Sequence, residues 1–114
     1  MPYLKIQTNQ EIEAAAAQNL LSEASRLVAA QLGKPESYVM VALQPPLPML
    51  FAGKPDATAY LELKSIGLPE SKTAALSAAL CELMETHLQI PKERIYIEFS
   101  DAPRAMWGWN GATF

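Results

Sequence analysis

Tyr3-Leu4-Lys5-Ile6-Gln7-Thr8 is repeated further along the chain as Tyr60-Leu61-Glu62-Leu63-Lys64-Ser65. The first copy alternates Tyr3, Lys5 and Gln7 against Leu4, Ile6 and Thr8, the period of a strand with two unlike faces. The correspondence continues beyond the strands. Leu32-Gly33-Lys34-Pro35 matches Leu88-Gln89-Ile90-Pro91, and β-branched strand sequence follows each. The chain therefore reads as strand–helix–strand twice, in units whose size suits a parallel crossover.

The segments between these landmarks agree. Residues 2–8 form the first strand, and Asn9 is placed to cap the helix that follows. Residues 12–32 are good helix formers, with Leu20, Leu21, Ala24, Leu27, Val28 and Leu32 on one face. Gly33 ends that helix and Pro35 prevents it from resuming. Residues 38–43 read as a buried strand. The proline-rich 44–51 is an edge segment or loop, and 53–56 is a turn. Residues 58–66 are the third strand, 70–88 a second amphipathic helix, and 94–99 the fourth strand. Residues 101–114 read as loop but hold Trp107, Trp109 and Phe114. The fold class is α+β: two pseudo-symmetric β-α-β repeats in one four-stranded mixed sheet with both helices on one face. Val39, Met40 and Val41, like Ile95, Tyr96 and Ile97, are apolar on both alternations. The uncovered face is thus expected to meet a partner, which makes the protein an oligomer.

Bulk properties bound the function. The 114 residues suit a single domain, 1–114. A net charge of −3 argues against a general nucleic-acid binder, which needs a basic stripe for phosphates. No apolar run is long enough to span a bilayer, so no membrane partner is expected. No secretory h-region is visible, so the expected location is the cytoplasm, or outside the cell by export without a signal peptide. A single cysteine and a single histidine supply neither a metal cluster nor a Cys/His nucleophile pair. Cys81 reads as a small buried hydrophobe, and His87 as a helix-end residue.

Pro2 has two readings. Proline is tolerated at the first residue of a strand, where no ladder donor is lost. Alternatively, removal of Met1 frees a secondary amine, and burial or a nearby cation makes that amine a base near neutral pH. Lys34, after the first helix, is either a solvated lysine or an anchor for a carboxylate. Trp107 and Trp109 either pack or line a pocket for an aromatic ligand. The second copy of the repeat has Ala59 where the first has Pro2, so the strand itself does not require the proline.

Several pieces, in order, resemble one family. They are Met1-Pro2, Thr8-Asn9, Gly33-Lys34-Pro35 with Tyr38, Ser65-Ile66-Gly67, Arg94-Ile95-Tyr96-Ile97, Gly108-Trp109-Asn110 and Thr113-Phe114. The chain is similar to the macrophage migration inhibitory factor and D-dopachrome tautomerase family of the tautomerase superfamily. The resemblance implies a homotrimer and a phenylpyruvate-type keto–enol tautomerase acting on small aromatic 2-keto acids with no cofactor or metal. It implies Pro2 as the catalytic base and Lys34 at the carboxylate or 2-oxo oxygen. The backbone N–H of Ile66 would donate to the carboxylate. Tyr96 would come from a neighbouring subunit, and Tyr38, Trp107 and Phe114 would enclose the ring. The resemblance equally allows a cytokine-like interaction trimer that binds a protein receptor and keeps only a vestigial pocket. Glu98 stands where the mammalian cytokine has asparagine, so it is expected to tune charge in the site. The family's Cys-x-x-Cys is replaced by Thr58 and Leu61, so thiol chemistry is not expected.

Overall fold

The computed structural model describes residues 1–114. Its main sheet contains β1 (Tyr3–Thr8), β2 (Met40–Leu43), β3 (Ala59–Ile66) and β4 (Ile95–Ala102), in the order β2-β1-β3-β4. Helix α1 (Ala14–Leu32) links β1 to the parallel β2, and α2 (Thr73–Leu88) links β3 to the parallel β4. The two halves meet along β1 and β3, which are antiparallel. Lys5 lies opposite Glu62 in that register, and these are also matching positions of the sequence repeat. A pseudo-twofold axis therefore passes between them, and the sequence repeat and the strand register express the same symmetry.

Alternation decides what is buried. Leu4, Ile6 and Thr8 of β1 and Ala59, Leu61, Leu63 and Ser65 of β3 face the helices and are buried. Leu20, Ala24, Val28 and Leu32 descend from α1, and Leu76, Leu80, Leu83 and Met84 from α2. All the apolar members of these sets belong to one core cluster, so neither repeat has a core of its own. The buried hydroxyls are satisfied: Thr8 donates to the Thr58 carbonyl at 2.7 Å, and Thr58 donates to the Arg94 carbonyl at 2.6 Å.

The other sheet face is open but differs from the expectation of an apolar surface. Its centre is ionic, with Lys5 Nζ at 2.8 Å and Lys64 Nζ at 3.5 Å from the Glu62 carboxylate. The Tyr60 hydroxyl donates to Glu98 at 3.3 Å. Only the margins expose large apolar groups, Met40 and Tyr96. Alternate positions of strands on this face were polar in the sequence, and the apolar runs at 39–41 and 95–97 belong to the two edge strands.

Three boundaries also differ. Asn9 is not the N-cap of α1; Glu13 occupies that position. The Asn9 amide instead donates to the Pro55 and Asp56 carbonyls at 3.0 and 3.1 Å, and its oxygen accepts from Thr58 N–H at 3.0 Å. It ties the end of β1 to the entry of β3. Tyr38 closes a 3-10 turn, Glu36–Tyr38, rather than opening β2. The tail is not simply loop: β5 (Gly108–Trp109) and β6 (Ala112–Thr113) form a small hairpin.

Gly33 adopts φ 62° at the end of α1. Its N–H donates to the Ala30 carbonyl at 3.3 Å and that of Lys34 donates to the Ala29 carbonyl at 3.0 Å, a Schellman closure. A Cβ at Gly33 would meet nothing within 4 Å, so the cost of substitution is conformational alone. Gly33→Ala is expected to lower stability by about 1 kcal/mol, read as a thermal midpoint reduced by a few degrees in calorimetry.

Candidate functional site

The leading end of β1 meets β2 where the Met40 N–H donates to the Pro2 carbonyl at 3.0 Å. Pro2 is buried there, at a place where a missing N–H costs no ladder bond. A cavity of about 490 Å3 opens beside it, a size usual for small-ligand sites. Met1, Pro2, Tyr38, Trp107, Trp109 and Phe114 are among its walls. A shallower depression of about 550 Å3 lies along Pro46–Leu50. Glu11 is its only ionisable side chain, and the Asn9 amide beside it is already engaged. Of these two depressions, the first is the one where chemistry converges.

The aromatic wall is built by the C-terminal hairpin. Asn110 and Gly111 have φ of 51° and 76°, the left-handed pair that a two-residue hairpin turn requires. The turn reverses the chain. The Phe114 N–H then donates to the Trp107 carbonyl at 3.2 Å, and Arg104 Nε donates to the Phe114 carbonyl at 3.3 Å. Phe114 stacks on Trp109 with ring centroids 5.6 Å apart and an angle of 16°. Tyr38 stands edge-on to both, at 5.7 Å from Trp109 and 6.2 Å from Phe114. Offset and edge-to-face pairs of this kind fix ring orientation as well as bury area.

Lys34 follows the Gly33 closure, which turns the chain back toward the sheet. Its Nζ donates to the Ile66 carbonyl at 3.3 Å. Burial first, and the positive charge of Lys34 second, hold the Met1 α-amine below its ordinary value. Both causes disfavour the charged form of an amine. The fold thus brings Pro2, Tyr38, Trp107 and Phe114 to one cavity. Lys34 and Ile66, paired with each other, are not among its wall residues, although the Lys34 charge reaches the Met1 amine.

Tyr96 and Glu98 lie elsewhere in the same chain. The position of Pro2 continues the register that sets Tyr3 opposite Lys64, and Ser65 of β3 lies opposite Asp101 of β4. Tyr96 is therefore roughly 16 Å along the strands and roughly 10 Å across them from Pro2. Tyr96 packs on Phe51 at 4.9 Å, and Glu98 accepts from Tyr60. Neither reaches the cavity of its own chain.

Trp109 is a wall residue outside the ring-enclosing set that the resemblance implies, although the two tryptophans within three residues mark the tail as a candidate pocket wall. The signal for its placement was Asn110-Gly111, the dipeptide that favours a two-residue hairpin. His87 is half-buried on the last turn of α2 and is not part of the cavity. Burial pushes the Cys81 thiol up, away from the reactive thiolate. No group of three or more His, Cys, Asp or Glu side chains is arranged to hold a metal ion. No helix is long and apolar enough to cross a membrane.

Comparison with known proteins agrees with this geometry. The family profile described as Macrophage migration inhibitory factor (MIF) matches residues 1–114. A macrophage migration inhibitory factor homolog of Brugia malayi is 41% identical over 115 residues, covering 100% of this chain and 99% of the relative. The macrophage migration inhibitory factor of Meriones unguiculatus is 36% identical over the same coverage. Among solved structures, a homologue from Prochlorococcus marinus superposes with a TM-score of 0.93 at 47% identity, covering 98% of each chain. This chain belongs to the macrophage migration inhibitory factor family.

Proposed function

We propose that this protein is a cofactor-free keto–enol tautomerase of phenylpyruvate-like 2-keto acids, with the Pro2 amine as its base. The observation that carries the reading is the position of Pro2, buried at an aromatic-walled cavity where burial first and the Lys34 charge second lower the neighbouring α-amine. Removal of Met1 converts the Pro2 nitrogen from an amide into a secondary amine. The same cavity walls and the same Lys34 charge that lower the Met1 α-amine then face the Pro2 amine.

The chemistry balances without redox help. The neutral amine takes the proton of the enol O–H, and the N–H bond forms as the O–H bond breaks. The proton then passes to the adjacent carbon as the C=C pair becomes a C–H bond and C=O forms. No oxidation state of the molecule as a whole changes. Lys34 holds the carboxylate or the 2-oxo oxygen, and the Ile66 N–H donates to the carboxylate, stabilising charge as it develops on oxygen. Tyr38, Trp107 and Phe114 enclose the ring, and Trp109 extends that wall.

In this reading Tyr96 enters the site from a second copy of the chain in a homotrimer, and Glu98 tunes its charge. That neither lies near Pro2 within one chain supports a contribution from a second copy. Glu98 there adds negative charge, which raises the pKa of the base and disfavours an anionic substrate unless Lys34 offsets it. The relatives are named for an effect on macrophage migration. That favours a second reading, a cytokine-like interaction trimer with a protein receptor. Intact mass of the N-terminus together with ketonisation of phenylpyruvate enol separates the two. Loss of Met1 with rapid ketonisation is the expected result. Retained Met1 with no turnover supports the interaction protein instead.

A further inference from the structure

Tyr96 is 66% exposed, yet one side of its ring is fixed. Its neighbour is Phe51, at 4.9 Å between centroids and 56° between planes. The Arg94 guanidinium lies over the Phe51 ring, 5.2 Å from its centroid. Arg94, Phe51 and Tyr96 therefore form a chain of contacts that ends in an exposed tyrosine.

The base of these contacts is held by an unusual number of bonds. Arg94 donates to four carbonyls: Ala57 at 2.9 Å, Phe51 at 3.2 Å, and Lys54 and Asp56 at 3.1 Å each. Every one belongs to the segment that carries Phe51 into β3. The segment closes on itself as well, since Phe51 and Lys54 exchange backbone hydrogen bonds at 3.1 and 3.0 Å around Ala52 and Gly53. Ala52 and Gly53 have φ of 55° and 72°, so the turn is a tight left-handed pair. A fixed turn, a pinned guanidinium and a tilted ring contact leave the Tyr96 ring few orientations. Nothing in the core needs that order, because Tyr96 points away from the helices.

We propose that Phe51, clamped by Arg94, is a positioning residue that presents the Tyr96 ring to the cavity of a second copy of the chain. This rests on the reading that Tyr96 completes that cavity. A preset ring avoids the cost of ordering the tyrosine side chain when substrate binds.

The experiment compares Phe51→Ala, Phe51→Leu, Phe51→Tyr, Tyr96→Ala and the double variant Phe51→Ala/Tyr96→Ala in the assembled protein. Phenylpyruvate enol is the substrate, and solution mass monitors assembly. Phe51→Ala and Phe51→Leu are expected to raise KM about tenfold, with kcat within about twofold, as loss of a preset contact requires. Phe51→Leu keeps apolar bulk and carries the test if Phe51→Ala does not assemble. Phe51→Tyr restores KM because it restores the ring. The double variant matches Tyr96→Ala alone, since one residue acts through the other. Additive losses, or an unchanged KM in Phe51→Leu, overturn the proposal.

Ring resonances of Tyr96 read the clamp without turnover. One ordered rotamer in the parent that becomes averaged in Phe51→Leu supports it, and an unchanged spectrum overturns it. A normal KM in Tyr96→Ala would overturn it through the underlying assignment of Tyr96. Absence of any turnover in the parent protein strikes the tautomerase reading alone, because the resonances still report the clamp.

Discussion

Pro2→Gly is expected to lower kcat/KM for ketonisation of phenylpyruvate enol by roughly 10²-fold or more, the scale for loss of a positioned general acid–base group. The structure states why the loss falls on chemistry rather than on folding. The backbone bond that Pro2 makes to the sheet uses its carbonyl, which accepts from Met40 N–H, and glycine keeps that carbonyl. What glycine loses is the ring that fixes φ and the secondary amine itself. The expected signature is a fall in kcat with the thermal midpoint within a few degrees of the parent. A protein that retains Met1 should be more impaired still, since an amide nitrogen accepts no proton near neutral pH. Equal rates for parent and Pro2→Gly would remove Pro2 from the mechanism.

The repeat sharpens that expectation. Ala59, the counterpart of Pro2, is 2% exposed, continues the chain in both directions and packs in the core. Two positions related by pseudo-symmetry thus differ in one respect that matters for chemistry, which is the chance to become a chain end.

Much of this fold could be read from short-range periodicity. The alternation in Tyr3–Thr8, its echo at Tyr60–Ser65, and the spacing of Leu20, Ala24 and Val28 each reflect which residues face the core. Gly33 was legible because a left-handed φ leaves few other residues comfortable. Asn9 was misread for the opposite reason. Its side chain can cap a helix or bridge loops, and only the tertiary approach of residues 55–58 decides between them. The ionic centre of the open sheet face needed the β1–β3 register, since Lys5 and Glu62 are far apart in sequence. The candidate site divides in the same way. Pro2, Lys34 and Tyr38 sit at element ends that the sequence marks. Bringing the tail rings against Tyr38 depends on the Asn110-Gly111 turn, within a segment that sequence periodicity marks only as loop. The separation of Tyr96 from Pro2 follows only from strand order.

Lys34→Ala is expected to raise KM for phenylpyruvate by about 10- to 100-fold, the range for a lost charge-assisted hydrogen bond to an anionic group. It should also move the acid limb of the pH–rate profile, and the direction follows from the charges. Catalysis requires the neutral amine, so kcat/KM falls as pH drops through the amine pKa. An ordinary α-amine titrates near ~8. In this fold, burial first and the Lys34 charge second lower the Met1 α-amine, and the same cation is expected to act on the Pro2 amine once Met1 is removed. Removing the cation makes protonation easier, so the limb shifts to higher pH and less base is neutral at a given pH. Burial remains, so the shift is partial and the limb stays below the ordinary α-amino value. Lys34→Arg keeps the charge and should restore the limb, while the different reach of a guanidinium leaves KM raised. A limb that stays in place in Lys34→Ala, with KM alone raised, would confine Lys34 to binding and leave burial as the sole cause of the depressed amine.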